Sequence, residues 1–518
     1  MRVRRLPRSS PRVALWLAAL LVGSTGGCGA SVSPPTTLTW LVGQSEPPFD
    51  PTGPAQPVRW SLERLLGEGL VAEDTTGRIM QAAALRWDVT PNGLTYTFQL
   101  RPGLRFVDGR ECTSGDFRRA LEAGLNRVDH ATHAWLLSPL VGVDQVRPGR
   151  PLPPLGIATP DAHTLVLRLA RPDPTLLHKL ALPGSSMPWS PDAGGGGWGG
   201  GIGPYRVVSR GPGRRLVLAR RAGWEGPDTV RVEFSTTLGR ARAMLRAGRA
   251  ELLWPVPSGM FTQPLPSAYR MVIRPARPAR RLWLVMREDL RPTWKVAARR
   301  ALAHGLNRVR IMTSLGPGAG EAREWLTGGD PVDFPRRDAS VVREWLQRGR
   351  FGRSLHAVMA FAGDGVGAEV ARGMQAEWAE MALDVELRPL GREAFSAEAL
   401  GRAGAPLLLL ESQAPLEEAV AELAALVAPR HGPPVGAFRT GWTTRDFDRW
   451  IGPQPPETPL EVGVAQRRLG EELVALPLAR LPWAWVERPD AARVGFHPRF
   501  GPDFWRPAPA PPEAHQSR

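Results

Sequence analysis

One short segment groups three residues of the types that bind transition metals, Asp129-His130-x-x-His133. On a helix, this spacing would bring a carboxylate and two imidazoles toward one face, and all three are ordinary ligands for such metals. The segment falls in a predicted loop, however, and three clustered residues do not by themselves make a metal site. We therefore expect no bound metal and no cofactor.

The sequence lacks the short motifs of hydrolases and nucleotide-dependent enzymes. It contains no Gly-x-Ser-x-Gly, no HExxH and no Gly-Lys-Ser/Thr phosphate loop. The glycine-rich stretch from Gly194 to Gly203 runs into a predicted strand, whereas a phosphate loop enters a helix. The two cysteines, Cys28 and Cys112, are too few for a zinc site. We expect a binding protein rather than an enzyme.

A predicted signal peptide occupies residues 1–27. Five arginines precede an apolar run, Val13 to Val22, that is too short to span a membrane as a mature helix. Small residues then lead to Cys28, as at a bacterial lipoprotein cleavage site, although Thr25 stands where such sites usually carry Leu. We expect lipidation of Cys28. The alternative is that Cys28 is an ordinary residue near a normal cleavage site. With Cys28 lipidated, Cys112 has no disulfide partner.

The formal net charge of +16 and the pI near 11.2 raise the question of nucleic-acid binding. After the leader, the arginines are scattered along the chain and form no dense basic run. No helix-turn-helix or zinc-finger spacing accompanies them. We therefore expect no nucleic-acid partner, and the arginine content is typical of a GC-rich genome.

The most informative stretch is Asn92 to Phe117, NGLTYTFQLRPGLRFVDGRECTSGDF. After a turn at Pro91-Asn92-Gly93, apolar residues alternate with polar ones from Leu94 to Leu100, the pattern of a half-buried strand. A second short strand is predicted over Leu104 to Val107. Ser114 or Asp116 is then placed to cap a helix.

The sequence of this stretch resembles a segment of the family 5 extracellular solute-binding proteins of ABC importers, which bind oligopeptides, dipeptides or nickel. In that family a phrase such as DGLTYTFKLRPGVKFSDGTPLTAEDV stands at this place. Further resemblances follow along the chain, at Glu68-Gly69-Leu70, Gly203-Pro204-Tyr205 and Arg299-Arg300-Ala301-Leu302.

The resemblance implies a type II periplasmic-binding-protein fold of the α/β class, with two lobes around a ligand cleft and an additional inserted domain. The alternation of predicted strands and helices favours the α/β class independently. The family's organisation places the boundaries as follows: residues 28–73, 200–278 and 481–506 in lobe I, 74–199 in domain II, 279–480 in lobe III, and 507–518 in a disordered tail.

The resemblance also implies a function. Two lobes would close around a peptide or a similar small solute, and the closed form would dock on the permease of an ABC importer. A lipid anchor would hold this monomeric protein at the membrane. Two alternatives stay open: a sensor or interaction module without transport, and a binder of metal or haem complexes.

The cleft residues are expected in segments that border the cleft in the family. Peptide-binding relatives carry an aspartate there, in a GWxADYPDP phrase, that pairs with the peptide ammonium group. The corresponding stretch, Leu410 to Glu418, has lost the Trp and carries Ser412 and Gln413 near the acidic position, so Glu411 or Glu417 would have to substitute. That departure puts peptide binding in doubt. The predicted ligand contacts are Gln44, Glu46, Tyr205, Glu411, Gln413 and Trp442. The alternative roles of these six residues are loop capping and core packing.

Overall fold

The structure is a computed structural model, and from Thr36 onward the chain forms one compact unit. Among the residues that the structure describes, no helix combines the length and apolar character that a membrane span requires. The described residues are 36–44, 46–47, 57–126, 136–147, 149–190, 200–211, 215–234, 237–257, 260–261, 264–277, 279–352, 354–363, 367–401, 404–413, 422–423, 440, 459–489, 495–503 and 506–507.

Strands and helices are interspersed through this unit, which confirms the α/β class. The strands are β1 (Thr37–Val42), β2 (Val71–Glu73), β3 (Ile79–Gln81), β4 (Ala84–Val89), β5 (Thr95–Leu100), β6 (Ile157–Asp161), β7 (Thr164–Arg168), β8 (Tyr205–Gly211), β9 (Arg215–Arg220), β10 (Trp224–Glu225), β11 (Thr229–Phe234), β12 (Leu252–Leu253), β13 (Arg270–Arg274), β14 (Arg280–Met286), β15 (Leu355–Ala362), β16 (Leu383–Leu390), β17 (Leu407–Gln413), β18 (Ala475–Leu481), β19 (Trp483–Glu487), β20 (Gly495–His497), β21 (Gly501–Asp503) and β22 (Arg506–Pro507). The helices are α1 (Pro57–Leu66), α2 (Ser114–Leu125), α3 (Leu176–Leu180), α4 (Leu238–Arg246), α5 (Val296–His304), α6 (Arg308–Ser314), α7 (Ala339–Gly349), α8 (Gly367–Ala379), α9 (Arg392–Leu400) and α10 (Pro459–Glu472).

The largest sheet has seven strands in the order β13-β19-β12-β1-β11-β9-β8. β1 runs parallel to β11 and β12, and the other neighbours pair antiparallel. Trp40, Leu218 and Val232 lie fully buried in its core. The strands come from distant parts of the sequence, so the chain leaves this sheet and returns to it more than once.

A separate four-stranded antiparallel sheet, β4-β5-β7-β6, is formed between β1 and β8 in the sequence. On β5 the predicted alternation is confirmed, because Tyr96, Phe98 and Leu100 are buried while the residues between them are half-buried. Phe117 and Leu121 of α2 belong to the same hydrophobic core. Period-2 burial on one strand and helical spacing on α2 therefore build one core.

Two details of this region differ from the prediction. The strand expected over Leu104 to Val107 is wrong, because the chain turns back at Phe106–Gly109 and only an isolated bridge joins Arg105 to Glu111. Helix α2 is capped by Thr113 rather than by Ser114 or Asp116. Asp116 instead accepts from the Thr113 backbone N–H at 2.8 Å and completes a capping box.

The third large sheet has five strands in the order β16-β15-β17-β14-β18. Leu282–Met286 on β14 is buried throughout, as expected of a strand with neighbours on both sides and a core on each face. Two short connections join this sheet to the seven-stranded one. Residues 275–279 run from β13 to β14, and Pro482 alone separates β18 from β19. The residue limits of the lobes and of domain II stay predictions.

Candidate functional site

The two connections mark the end of the seven-stranded sheet at which Gln44 and Glu46 lie. Leu41 on β1 is level with Leu253, and Leu253 is level with Val486 on β19. β1 and β12 run in the same direction, and β19 runs in the opposite direction. The chain that continues beyond β1 is therefore on the side of the sheet where β19 begins, at Trp483. Gln44 and Glu46 follow β1 directly and therefore lie at the connection end of this sheet.

Glu411 and Gln413 lie at the corresponding end of the five-stranded sheet. Arg280, the first residue of β14, is opposite Gln413 on one side and Leu481 on the other. Both connections enter or leave the sheet at this level. The structure thus brings Glu411 and Gln413 to one side of the connections and Gln44 and Glu46 to the other.

Arg280 already forms an ion pair with the carboxylate of Glu411. Its Nη2 donates to Glu411 Oε2 at 2.6 Å, its Nη1 donates to Pro482 O at 2.7 Å, and its guanidinium lies 4.1 Å from the Trp483 ring centroid. Burial lowers the pKa of Arg280, and the charge of Glu411 opposes that shift. Arg280 therefore links the end of β17 to Pro482, and Glu411 is not a lone anion.

Glu46 is likewise paired within its own side of the junction. Arg210 Nη2, on β8, donates to Glu46 Oε1 at 2.8 Å, and only 6% of the Glu46 side chain is exposed. The neighbouring Gln44 is buried. A solute can meet this region through polar groups, but the Glu46 carboxylate already has a positive partner.

Tyr205 lies in the core of the seven-stranded sheet. Its side chain is fully buried, and its hydroxyl donates to Pro227 O at 2.8 Å. Burial raises the pKa of this phenol. This placement is that of a packing residue, and nothing in it supports the ligand-contact prediction for Tyr205.

Other predicted residues lie outside the described part of the chain. These are Cys28, the Asp129-His130-x-x-His133 segment, Glu417 and Trp442. Among the described residues, no three His, Cys, Asp or Glu side chains converge as metal ligands would. Gln413 is described and half-buried at the end of β17.

Arg280 and Trp483, the first residues after the two connections, were not predicted from the sequence. Trp483 packs at 5.4 Å from Trp254 and 6.0 Å from Phe496, so an aromatic cluster supports the junction from the seven-stranded sheet. Nothing local indicated that Arg280 and Trp483 would meet.

The motifs that carry the family resemblance contribute to the region around the four-stranded sheet. Arg101 binds Glu68 with two parallel hydrogen bonds of 2.6 Å and also donates to Ala82 O. Asp116, inside the capping box, accepts from Arg110 as well. Burial disfavours ionisation of Asp116, but hydrogen bonds from Thr113 and Arg110 outweigh it and lower its pKa.

Gly203 is required by a close approach of two chain segments. A Cβ at this position would stand 2.5 Å from Gly67 N and from Leu66 C, at the end of α1. Gly203 N also donates to Leu66 O at 2.9 Å. The Gly-Pro-Tyr motif therefore packs the start of β8 against the end of α1. The part of the family resemblance that this motif carries is explained by packing.

An open groove of about 460 Å³ lies elsewhere, beside β16 and α8, and is lined by Arg372, Gln375 and Asp384. Gln375 Nε2 donates to Val385 O at 2.8 Å along its floor. The groove opens at the amino end of β16. Because β16 and β17 run parallel to β15, this is the end of the sheet opposite to Gln413.

Comparisons with known proteins agree with this architecture. The model of the bacterial extracellular solute-binding proteins, family 5 Middle, matches residues 78–445. The chain belongs to this family. Two Escherichia coli relatives of the family 5 chain are the periplasmic oligopeptide-binding protein OppA and the periplasmic murein peptide-binding protein MppA. OppA is 27% identical over 178 residues, 33% of each protein, and MppA is 26% identical over 280 residues, 51% of each.

Solved structures extend the likeness over most of the family 5 chain. The E. coli murein tripeptide binding protein MppA has a TM-score of 0.77 at 18% identity and covers 90% of this chain and 96% of its own. MoaA in complex with mannopinic acid, from A. tumefaciens R10, has a TM-score of 0.75 at 18% identity and covers 91% and 100%. The chain therefore has the type II periplasmic-binding-protein fold with two lobes. It spans between a third and about half of the length of OppA and MppA in the sequence alignments.

Proposed function

We propose that this family 5 protein is an exported substrate-binding lipoprotein of an ABC-type importer, which captures a peptide or a similar small solute by lobe closure and delivers it to a membrane permease. The observation that carries the proposal is the junction. Polar residues of both lobes lie at the sheet ends that flank two short connections. A solute that contacts both sides stabilises the closed arrangement by its differential affinity for it.

The relatives support this proposal by what they bind. OppA and MppA are named as oligopeptide- and murein-peptide-binding proteins, and MoaA holds mannopinic acid. The same fold thus serves peptides and a non-peptide solute. A single chain provides both sides of the junction, so the monomer is the binding unit, and no bond in the solute is made or broken.

The ion pairs at the junction indicate which solutes are favoured. Glu411 and Glu46 are paired with Arg280 and Arg210, so a solute ammonium group would share each carboxylate with an arginine. Sharing weakens a charge-assisted contact, because the carboxylate already accepts hydrogen bonds from a cation. Solutes held by neutral hydrogen bonds and apolar contacts are therefore favoured over those that depend on one free counter-charge.

A thermal-shift screen of the chain from Gly29 onward tests the proposal. A ligand that binds only the folded state raises the melting temperature by mass action. Di- to pentapeptides, the same peptides with acetylated amino ends, oligosaccharides, and nickel and haem complexes form the panel. Shifts with peptides of either kind support the importer function. If every class fails on well-folded protein, the sensor or interaction module replaces it, and a shift with nickel or haem complexes alone identifies a metal-complex binder.

The anchor and the permease require tests of their own. Replacement of Cys28 by Ser should release the protein from the membrane fraction in cells and remove the lipid-modified N-terminal peptide from its mass spectrum. A protein that stays equally membrane-bound after Cys28→Ser contradicts the anchor. Solute-dependent stimulation of a co-expressed permease and ATPase would support delivery.

A further inference from the structure

The open edges of the three large sheets differ in how well they are protected against pairing with another strand. An unpaired edge is a template for a further strand, and proline or unfavourable charge blocks it. Among the described strands, three of the six edges contain proline: Pro160 in β6, Pro389 in β16 and Pro477 in β18.

Two more edges are protected by like charges. If β8 paired with its own copy about Val208, Arg206 would stand opposite the copy's Arg210. The same holds for β13, whose first and last residues are both arginine. Directly opposite like charges destabilise a strand pair.

Strand β4, the sixth edge, contains no proline and no like charges that would face each other in such a pair. It pairs with β5 on one side only, with a bulge at Leu85, and Ala84 N donates to Leu70 O at 2.9 Å. The regular, open part of this edge therefore runs from Arg86 to Val89. Thr90 N, just beyond β4, donates to Thr95 O, so the backbone groups of Thr90, Asp88 and Arg86 point toward β5. By alternation, the N–H and C=O groups of Trp87 and Val89 point to the open side.

Apolar side chains follow this open edge. Leu85 is 51% exposed and Val89 is 42% exposed. Trp87 is half-buried against the same core as Phe98, its neighbour on β5. The core of the four-stranded sheet therefore continues to the edge and ends there uncovered.

The sequence of β4 is complementary to itself. In an antiparallel pair centred on Trp87, Arg86 stands opposite Asp88 of the second copy, and Asp88 opposite its Arg86. The two Trp87 rings meet at the axis, and Val89 reaches the bulge at Leu85 of the second copy. In the described part of the chain, neither Arg86 nor Asp88 takes part in an ion pair, and both are exposed.

We propose that β4 is a self-association surface, where two copies of this chain pair antiparallel about a two-fold axis at Trp87. The two four-stranded sheets would then form one continuous sheet of eight strands. Such an interface is isologous, so each contact away from the axis occurs twice. Its short length places it among weak, reversible interfaces, with a dissociation constant on the order of 100 µM. Because β4 belongs to a sheet distinct from those at the junction, pairing leaves both solute sites accessible.

Charge reversal on β4 tests the proposal. Sedimentation velocity of the chain from Gly29 onward, over about 5–500 µM, should show a reversible monomer–dimer equilibrium. Arg86→Asp and Asp88→Arg should each weaken dimerisation about tenfold, because each places two like-charged pairs opposite one another. The double variant Arg86→Asp/Asp88→Arg should restore it, since the pairs become opposite in sign again.

The design separates this contact from general charge effects. The single variants change the net charge in opposite directions, and the double variant leaves it unchanged, so a nonspecific effect cannot weaken both and spare the double. Melting curves should match the parent in all three, because both side chains are exposed. The proposal is overturned if the parent is monomeric to 500 µM, if the single variants dimerise as the parent does, or if the double variant does not recover.

Discussion

Arg101 and Glu68 form a two-pronged ion pair in which Nη1 donates to Oε1 and Nη2 to Oε2, both at 2.6 Å. Glu68 follows α1 and Arg101 follows β5, so the pair ties the entrance of the four-stranded sheet to a segment next to the seven-stranded one. Arg101 Nη1 also donates to Ala82 O at 2.6 Å. The guanidinium is therefore fixed at three points.

Removal of this pair should destabilise the protein without changing solute affinity. Glu68→Ala should lower the free energy of unfolding by about 2 kcal/mol, because it leaves a half-buried guanidinium without its carboxylate. Arg101→Ala should cost a similar amount, and the double variant clearly less than the sum of the two. Urea unfolding of the four proteins measures this cycle. Strict additivity would show that the two side chains act independently.

Among the residues that the structure describes, Glu411 is the strongest candidate for direct contact with a solute. Glu411→Gln should change solute affinity at least threefold, because it removes the charge that fixes Arg280 at the junction. A matched control is Glu487→Gln, since Glu487 pairs with Arg270 at 2.6 Å at the far end of β19. Isothermal titration with the best solute of the screen compares them. Equal affinities for both variants would remove Glu411 from the site.

Tyr205 should behave as a core residue. Tyr205→Phe leaves Pro227 O without its donor and should lower the free energy of unfolding by about 1 kcal/mol. Solute affinity should stay that of the parent protein. Tyr96→Phe is the matched control in the four-stranded sheet, where the hydroxyl donates to Asp173 O at 3.1 Å. A loss of affinity in the Tyr205 variant alone would support the prediction that Tyr205 contacts the ligand.

His497 should make the protein sensitive to mild acid. Burial, and then the charges of Arg64 and Arg499, lower the pKa of this fully buried imidazole to about 2. Its Nε2 lies 3.2 Å from Glu73 O, and its Nδ1 accepts from Arg499 N. The unfolded chain takes up a proton near pH 6.5, whereas the folded chain stays neutral there.

The direction of this pH effect follows from the difference in proton binding between the folded and unfolded states. Between pH 6.5 and about 2 the unfolded state binds more protons at this site, so stability is fully present above pH 6.5 and is lost as the pH falls. At pH 5 the loss from His497 should be about 2 kcal/mol. Urea unfolding at pH 7.5 and 5.0 measures it, and His497→Asn should show a smaller difference between the two pH values. An equal difference in parent and variant would assign the acid sensitivity to other groups.

The sequence by itself determined the family, the α/β class and the burial pattern of individual elements. On β5 the alternation from Tyr96 to Leu100 fixes which face is buried, because side chains of a strand point alternately to its two faces. Turn and capping residues act over three or four positions, so Asp116 could be placed at the start of α2 from its neighbours alone, although its role there is to complete the box that Thr113 begins.

The tertiary structure decided which charged and aromatic residues meet. Glu68 and Arg101 are 33 residues apart, and Arg280 and Glu411 are 131 apart. Local pattern shows that a carboxylate sits near a strand end, but its partner depends on how distant strands register with one another. The same limit applies to Tyr205, whose motif resembles a cleft segment while its hydroxyl points into the core. The way in which strands and helices pack sets these contacts, because residues from remote segments come within hydrogen-bonding distance only in the folded chain.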